Sequence, residues 1–196
     1  MTAHRCIFAD GPVAGQRVLV TGGAGRVGWY AIQWAKSAGA RVVATASKAA
    51  DEQACREAGA DAVVNHREAG WGERVKAASG APVDRVVEVE FGGNLPEVLG
   101  CIRTGGTIAT YASMQVTEPK LPFYRMMFAD LTVRMVLVYV MPEAAKQAAI
   151  ADIARALAGG TLRHRIARRL PLSQVVEAHE LVERGAGGCV VVDIGT

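Results

Sequence analysis

The sequence contains little cysteine, and the spacing of its cysteines excludes two common kinds of small domain. Only four of the 196 residues are cysteines, namely Cys6, Cys55, Cys101 and Cys189. No two of them form a C-x-x-C pair, so neither a zinc ribbon nor a disulfide framework is indicated, and no metal site is predicted. Reduced thiols in a cytoplasmic protein are the interpretation that fits this pattern.

Long apolar runs are also missing. The most hydrophobic stretch, Met135–Met141, is too short to cross a bilayer, and Arg134 lies directly beside it. The N-terminal residues contain no apolar segment of the kind that a signal peptide needs. We therefore expect neither a membrane segment nor an export signal.

The sequence has no strong excess of charge of either sign. Its 22 basic and 19 acidic residues give a net charge of +3, which is too small to indicate a nucleic-acid partner. The basic run Arg163–Arg165, with Arg168 and Arg169, has no aromatic side chains between its cations on which bases could stack. Nucleic-acid binding is therefore not expected, and the 51% hydrophobic composition is that of an ordinary globular chain.

The rest of the sequence is organised around a glycine-rich turn between a strand and a helix. The apolar run Val18–Val20 is typical of a strand buried on both faces, and Gly39 closes the helix that follows. Between them Gly22, Gly25 and Gly28 stand three apart, which suits a tight turn, access of a pyrophosphate to backbone N–H groups, and close packing of helix on strand. The start of this helix is a predicted anion site.

Strand and helix patterns alternate from Gly15 to Tyr139. The predicted strands are Val18–Thr21, Arg41–Thr45, Ala62–Asn65, Val83–Val89, Thr107–Tyr111 and Leu131–Val140. The predicted helices are Gly25–Ala38, Ala49–Ala58, Trp71–Ala78 and Asn94–Ile102. This alternation predicts an α/β fold, a Rossmann-type doubly wound parallel sheet with helices on both faces.

The two ends of the chain differ from this alternation. Residues 1–14 are interpreted as the last turns of a truncated helix and a linker, so the chain is expected to be a fragment. Residues 15–141 form the predicted dinucleotide-binding domain, and residues 142–196 form a C-terminal α/β extension. The extension is expected to contain helices at Glu143–Ala158 and Ser173–Glu183, the second with Ser173 as its N-cap, and strands at Leu162–Leu170 and Cys189–Ile194.

The whole chain resembles the medium-chain dehydrogenase/reductase superfamily, in its zinc-free quinone oxidoreductase branch, to which zeta-crystallin belongs. The segments that carry the resemblance, in the order of the family, are Val20–Gly28, Ala58–Glu68, Gly105–Thr107 and Pro171–Glu180. The resemblance implies an NADPH-dependent reductase of quinones or of activated double bonds. In that family a GroES-like substrate domain precedes the cofactor domain, and residues 162–196 would return to it.

A second dehydrogenase family fits the same glycine turn. Residues 21–28 also match the T-G-x-x-G-x-x-G pattern of extended short-chain dehydrogenases. Those enzymes need a tyrosine followed four residues later by a lysine, which lowers the pKa of the tyrosine for acid catalysis. None of the four tyrosines here has a lysine at that position, so this alternative ranks below the first.

Several residues are candidates for contact with the adenosine half of the cofactor. Arg26 and Val27 lie in the predicted anion site, at the start of the helix. Ser47 and Lys48 follow the second strand, where an NAD site would hold an acidic residue for the ribose, so they favour a 2′-phosphate or, alternatively, are ordinary surface residues. His66 follows the third strand; the resemblance places it near the adenosine phosphate, although a simple loop histidine is an open alternative.

The resemblance places other residues at the nicotinamide half. Tyr111 and Ser113 follow the fifth strand, and Val138 and Tyr139 end the sixth, although buried apolar strands would have the same pattern. A pair of glutamates in the fourth strand region, residues 88 and 90, is interpreted as structural. No catalytic residue is assigned to this chain.

The sequence thus predicts the NADPH-binding half of a quinone- or enone-reducing enzyme. An alternative of another class is a non-catalytic nucleotide-binding module. The resemblance also implies a homodimer through the edge strand Leu131–Val140. In addition, if residues 162–196 pack on an absent domain, their apolar residues Leu162, Ile166, Val190 and Val192 should form an exposed patch.

Overall fold

The computed structural model describes residues 1–195. The helices are α1 (Thr2–Phe8), α2 (Arg26–Ser37), α3 (Ala49–Ala58), α4 (Trp71–Ser79), α5 (Phe91–Cys101), α6 (Phe123–Phe128), α7 (Glu143–Ala158) and α8 (Val175–Glu183). The strands are β1 (Arg17–Val20), β2 (Arg41–Ala46), β3 (Ala62–Asn65), β4 (Val83–Glu88), β5 (Ile102–Thr110), β6 (Thr132–Met135), β7 (Ile166–Pro171) and β8 (Cys189–Asp193). Short 3-10 turns occupy Val138–Val140 and Leu172–Gln174. No helix within residues 1–195 has both the length and the apolar character needed to cross a bilayer.

The first six strands form one parallel sheet in the order β3-β2-β1-β4-β5-β6. The chain moves outward from β1 to β3, crosses back to β4, and moves outward again to β6. The order therefore reverses between β1 and β4, and ligands of open α/β sheets bind at the carboxyl ends of the strands at such a point. The Rossmann-type fold predicted from the sequence is confirmed.

The central strands are apolar because both of their faces are covered. Val18 and Val20 of β1 lie in a core formed with α1, α2 and α3, whereas Leu19 lies in a second core formed with α4 and α5. In β2, Val42 and Val43 are divided between the two cores in the same way. Since successive side chains of a strand point to opposite faces, a sheet between two helical layers needs the continuous apolar runs seen in the sequence.

A buried arginine ties α1 to the sheet. Arg85 of β4 is only 2% exposed, and its guanidinium donates hydrogen bonds to the carbonyl oxygens of Ile7 and Asp10, the latter at 2.8 Å. The carboxylate of Asp10 in turn accepts hydrogen bonds from Arg134 of β6, one of them at 2.6 Å. These contacts attach the N-terminal helix to two strands that are far away in sequence.

The sixth strand is at the edge of the sheet, as predicted, but it is much shorter than Leu131–Val140. Only Thr132–Met135 pairs with β5. The last hydrogen bond between the two segments is donated by Val136 N–H to the carbonyl of Thr110, at 2.8 Å. Because β5 ends at Thr110, the following residues have no neighbouring strand to pair with. Val138–Val140 instead forms a 3-10 turn.

Other boundaries also differ from the prediction. The fifth strand begins at Ile102, five residues earlier than expected, and its register with β4 shifts between Val83 and Arg85 as in a β-bulge. The helix before it begins at Phe91, three residues earlier than expected. Helix α6 has no counterpart in the prediction, and none of its residues is buried.

The C-terminal extension folds as predicted in outline. Strands β7 and β8 form a separate parallel pair that packs with α8. Ser173 is not the N-cap of α8, because it lies in the 3-10 turn and the capping position belongs to Gln174. Leu162 is also not exposed: it packs in the core beside α2, at 8% exposure, while Ile166 is 42% exposed.

Candidate functional site

The glycine-rich turn after β1 closes tightly because its glycines exclude side chains. Gly22 has a positive φ of 59°, and a Cβ at Gly28 would come within 2.4 Å of the carbonyl oxygen of Gly22. A Cβ at Gly23 would lie 2.8 Å from Cβ of Ala44 and 2.8 Å from Sγ of Cys55. Gly22 therefore allows the tight turn, and Gly28 allows the close packing of helix on strand. The close contacts of Gly23 were not predicted, because this residue lies outside the three-residue spacing.

The backbone of the turn is fixed by the neighbouring strand. Gly22 N–H donates to Oγ1 of Thr45 at 3.0 Å, and Gly23 N–H donates to the carbonyl of the same residue at 2.9 Å. Gly25 is the N-cap of α2, and within the described chain no side chain caps this end of the helix. The first N–H groups of α2 thus remain available to an anion, and the helix dipole favours one there.

A cleft of about 600 Å³ opens at this turn, at the carboxyl ends of β1, β2 and β3. It brings together six of the residues predicted to bind a cofactor: Gly22, Gly25, Arg26, Ser47, Lys48 and His66. Gly28 and Val27 lie behind this surface, where Gly28 is buried and Val27 packs against the core. Val89, directly after β4, borders the cleft, which therefore lies at the reversal of strand order.

The charged side chains around the cleft are mainly cationic. Arg26, Lys48 and Arg165 line it, and Asp51 is the acidic residue that faces them. His66 also lines it; burial lowers the pKa of this imidazole, and the positive charge of Arg67 lowers it further. The charged form of His66 is therefore disfavoured, although Asp51 partly opposes this, and the permanent cations of the cleft are the two arginines and the lysine.

The C-terminal extension covers one side of the cleft, which the sequence did not reveal. Trp29 Nε1 donates to the carbonyl of Arg163 at 2.7 Å, and Tyr30 Oη lies at hydrogen-bond distance, 2.7 Å, from Nδ1 of His164. Gln33, 6% exposed, accepts from Arg163 N–H at 2.8 Å and donates to its carbonyl at 3.2 Å. Residues 185–189 complete this wall.

A second cleft, of about 580 Å³, lies at the carboxyl ends of β5 and β6. It is lined by Tyr111 and Ser113, two of the residues expected near a nicotinamide. Burial raises the pKa of Tyr111, with further contributions from Cys6 and Glu88, so its phenol stays protonated. Ser113 Oγ accepts a hydrogen bond from Gly92 N–H at 2.9 Å.

Two other residues expected near the nicotinamide are placed differently. Val138 and Tyr139 were predicted to end the sixth strand. This prediction is wrong, because both residues belong to the 3-10 turn after β6. Tyr139 is 84% exposed, and the neighbours of this pair, Leu137 and Val140, line the second cleft instead. The prediction failed here because it extended β6 beyond the end of its partner strand.

The two glutamates near the end of β4 have structural contacts. Glu88 is buried and accepts from Glu90 N–H at 2.6 Å and from Asn94 Nδ2 at 2.8 Å, and burial raises its pKa. Burial also opposes ionisation of Glu90, but backbone N–H groups of residues 114–116 donate to its carboxylate and lower its pKa overall. These contacts support the structural interpretation of both.

The fold, the glycine turn and the cationic cleft define a nicotinamide dinucleotide-binding domain. Residues 27–155, more than half of the chain, match the family described as zinc-binding dehydrogenase, and the chain belongs to this family within the medium-chain dehydrogenase/reductase superfamily. Within residues 1–195 no three His, Cys, Asp or Glu side chains are grouped so that they could hold a metal ion. The described residues therefore do not fit a zinc site.

Individual relatives agree with this assignment. Human quinone oxidoreductase is 30% identical over 188 residues, which are 95% of this chain and 56% of that protein. A solved NAD-dependent alcohol dehydrogenase is 28% identical with a TM-score of 0.84, covering 99% of this chain and 56% of its own. The mycobacterial Rv1454c, solved with NADPH, is 26% identical with a TM-score of 0.83, covering 97% and 60%. The chain thus spans little more than half the length of its relatives.

Proposed function

We propose that this chain binds NADPH as the cofactor half of a reductase of quinones or activated double bonds. The observation that carries the proposal is the uncapped start of α2, which faces a cleft lined by cations at the strand reversal. The pyrophosphate would lie on the N–H groups there. The family and the relatives named quinone oxidoreductase support the reaction class.

The choice of NADPH over NADH rests on the end of β2. The residues there are Ala46, Ser47 and Lys48, so the carboxylate that would bind a ribose 2′-hydroxyl is replaced by a hydroxyl and an ammonium group. These groups suit a phosphate, which carries about −2 charge at pH 7. The NADPH seen in Rv1454c is consistent with this choice.

The chemistry follows from what the domain provides. When bound, NADPH supplies a hydride for transfer to an electron-poor carbon of the substrate. The residues of this chain would hold the dinucleotide and exclude water, and the second cleft, with its apolar wall and neutral Tyr111, would receive the nicotinamide end. A substrate domain of the kind that the family resemblance implies would complete the site.

The proposal is tested by calorimetric titration with NADPH and NADH. A charge-assisted contact to the phosphate predicts about ten- to a hundredfold tighter binding of NADPH, decreasing as salt is added. Lys48→Glu should remove most of this preference, whereas Lys120→Glu, the same charge change at an exposed site, should leave it intact. Equal affinities in the wild-type protein would contradict the choice of NADPH, and no binding of either would contradict the proposal as a whole.

The alternative is a nucleotide-binding module without catalysis. The two functions are separated by turnover: oxidation of NADPH on addition of a quinone, followed as loss of absorbance of the reduced nicotinamide, supports the reductase. Tight NADPH binding without turnover, even after addition of the part of a relative that this chain does not cover as a separate domain, supports the module.

We further propose a homodimer through the free edge of β6. The edge strand and the turn after it expose large apolar side chains, with Met135 76% and Leu137 54% exposed. An unpaired edge with an apolar surface favours pairing with a second copy. Met135→Lys should convert the dimer to a monomer in sedimentation experiments, whereas Ile150→Lys, on the exposed face of α7, should not; a monomeric wild-type protein at micromolar concentration would refute the proposal.

A further inference from the structure

Arg165, in the segment between α7 and β7, reaches into the cofactor cleft from the C-terminal extension. Its carbonyl accepts a hydrogen bond from Cys189 N–H at 2.8 Å, which fixes the backbone beside β8. Its Nη1 donates to the carbonyl of Ala24, in the glycine turn, at 2.8 Å. The side chain is only 23% exposed, so the guanidinium is held in one place.

The guanidinium retains donors that these contacts do not use. It carries five N–H groups in a planar fork, and the Ala24 carbonyl accepts a hydrogen bond from one side of this fork. On the other side, Nη2 lies 3.9 Å from Oδ1 of Asp51, which is beyond hydrogen-bond distance. An anion in the cleft can therefore bind this side of the fork without displacing the anchor on Ala24.

The open side of the fork faces the start of α3. Asp51 is in the first turn of α3, which begins directly after Ser47 and Lys48. In this fold the adenosine ribose lies at that position, and an arginine nearby accommodates a 2′-phosphate. The pyrophosphate is at the other end of the turn, on the first N–H groups of α2.

We propose that Arg165 binds the 2′-phosphate of NADPH together with Lys48, so that the C-terminal extension determines the cofactor preference. This inference rests on the proposed function, since it assumes that a nicotinamide dinucleotide occupies the cleft. Arg165 would then be the second residue, besides Lys48, that contacts the 2′-phosphate, although it lies about 120 positions after the end of β2 in the sequence. Asp51 opposes the phosphate by like charge, and Arg165 compensates for it.

Other candidates for this contact are less well placed. His66 lines the cleft, but burial and the charge of Arg67 lower the pKa of its imidazole, which disfavours its charged form. Arg26 lies at the start of α2, beside the expected pyrophosphate. A planar guanidinium, in contrast, binds two phosphate oxygens at once, which suits the fixed position of Arg165.

The test is calorimetric titration of the full chain with NADPH and NADH, which differ only in the 2′-phosphate. Arg165→Ala should weaken NADPH binding by about tenfold or more and leave NADH binding within about twofold. Arg168→Ala, an exposed arginine of β7 three residues further along the chain, should change neither affinity. Thermal melting of both variants shows whether the extension is still folded, and Arg165→Lys should recover part of the lost affinity.

Two results would overturn the inference while the proposed function survives. An equal loss for both dinucleotides would mean that Arg165 binds the pyrophosphate, and no loss would mean that it only anchors the glycine turn through Ala24. A wild-type chain that binds neither dinucleotide would instead overturn the proposed function itself. Asp51→Asn gives an independent arm: NADPH should bind more tightly with NADH unchanged, and weaker NADH binding would show that Asp51 holds the ribose hydroxyls.

Discussion

The two walls of the cofactor cleft are built in different ways. The glycine turn is held by backbone and by the absence of side chains, with Gly28 packed against the carbonyl of Gly22. The opposite wall, from the C-terminal extension, is held by side chains of α2 that contact the backbone of residue 163, and by Arg165. The first wall cannot change without a clash, whereas the second consists of separate polar contacts that can open one by one.

This difference suggests a division of labour. A rigid turn supplies the part of the site common to all nicotinamide dinucleotides, because the pyrophosphate does not vary. With the role proposed for Arg165, the adjustable wall would supply the part that distinguishes one cofactor from another.

The rigid wall should be the more sensitive to substitution. Gly28→Ala puts a methyl group 2.4 Å from the Gly22 carbonyl oxygen, and the backbone of Gly22 cannot move away without a large cost in free energy. We expect a loss of about 3 kcal/mol in the free energy of unfolding, measured with urea, together with loss of dinucleotide binding. Gly100→Ala in α5 is the matched control, because its nearest neighbour would be 4.0 Å away and alanine favours a helix. A Gly28→Ala protein as stable as the wild type would remove the basis of the comparison.

Much of the rigid wall could be predicted from the sequence, whereas the adjustable wall could not. The strand, turn and helix around Gly22 form a contiguous segment, and the bounds of α3 and α7 were correct because their apolar spacing is local. The contacts of Gln33 and Arg165 join residues about 130 or more positions apart, and nothing in their local sequence indicates a partner. The length of β6 also depended on a distant residue, the end of β5 at Thr110.

The adjustable wall can be opened at Gln33 without disturbing the glycine turn. Gln33→Leu keeps the volume of the side chain but removes both hydrogen bonds to the backbone of Arg163. Because the N–H of Arg163 then lacks its buried partner, we expect a loss of about 2 kcal/mol in the free energy of unfolding. Hydrogen exchange at residues 162–165 should accelerate, while β1 stays protected.

The control for this variant is an exposed glutamine. Gln53→Leu removes only a surface contact to Glu57, so its effect should be within about 0.5 kcal/mol. Equal acceleration of exchange in β1 and in residues 162–165 on Gln33→Leu would show that the two walls unfold together, and the proposed division would then be wrong.

The smallest expected effect is an acid sensitivity of the contact between the extension and α1. Asp152 of α7 contacts His4 of α1 at 2.8 Å, and this hydrogen bond, with a further contribution from Arg155, lowers the pKa of Asp152. A carboxyl whose pKa is lower in the folded state stabilises the fold above its unfolded pKa, about 3.9, and this contribution is lost as the pH falls through the folded value. The glycine turn itself contains no titratable carboxyl group within residues 21–28.

The difference between wild type and Asp152→Asn isolates this contribution from other carboxyls that titrate in the same range. At pH 6 the wild-type protein should be the more stable in urea, by about 0.5 kcal/mol or less, because the carboxyl is 36% exposed and solvent screens the contact. Towards pH 3 the difference should shrink, as the pH falls from the unfolded pKa of Asp152 towards its lowered folded pKa. Glu143→Gln, at the exposed start of the same helix, should run parallel to the wild type at both pH values. A constant difference between wild type and Asp152→Asn from pH 6 to pH 3 would show that the carboxylate charge does not hold α7 to α1, and that packing alone attaches the extension.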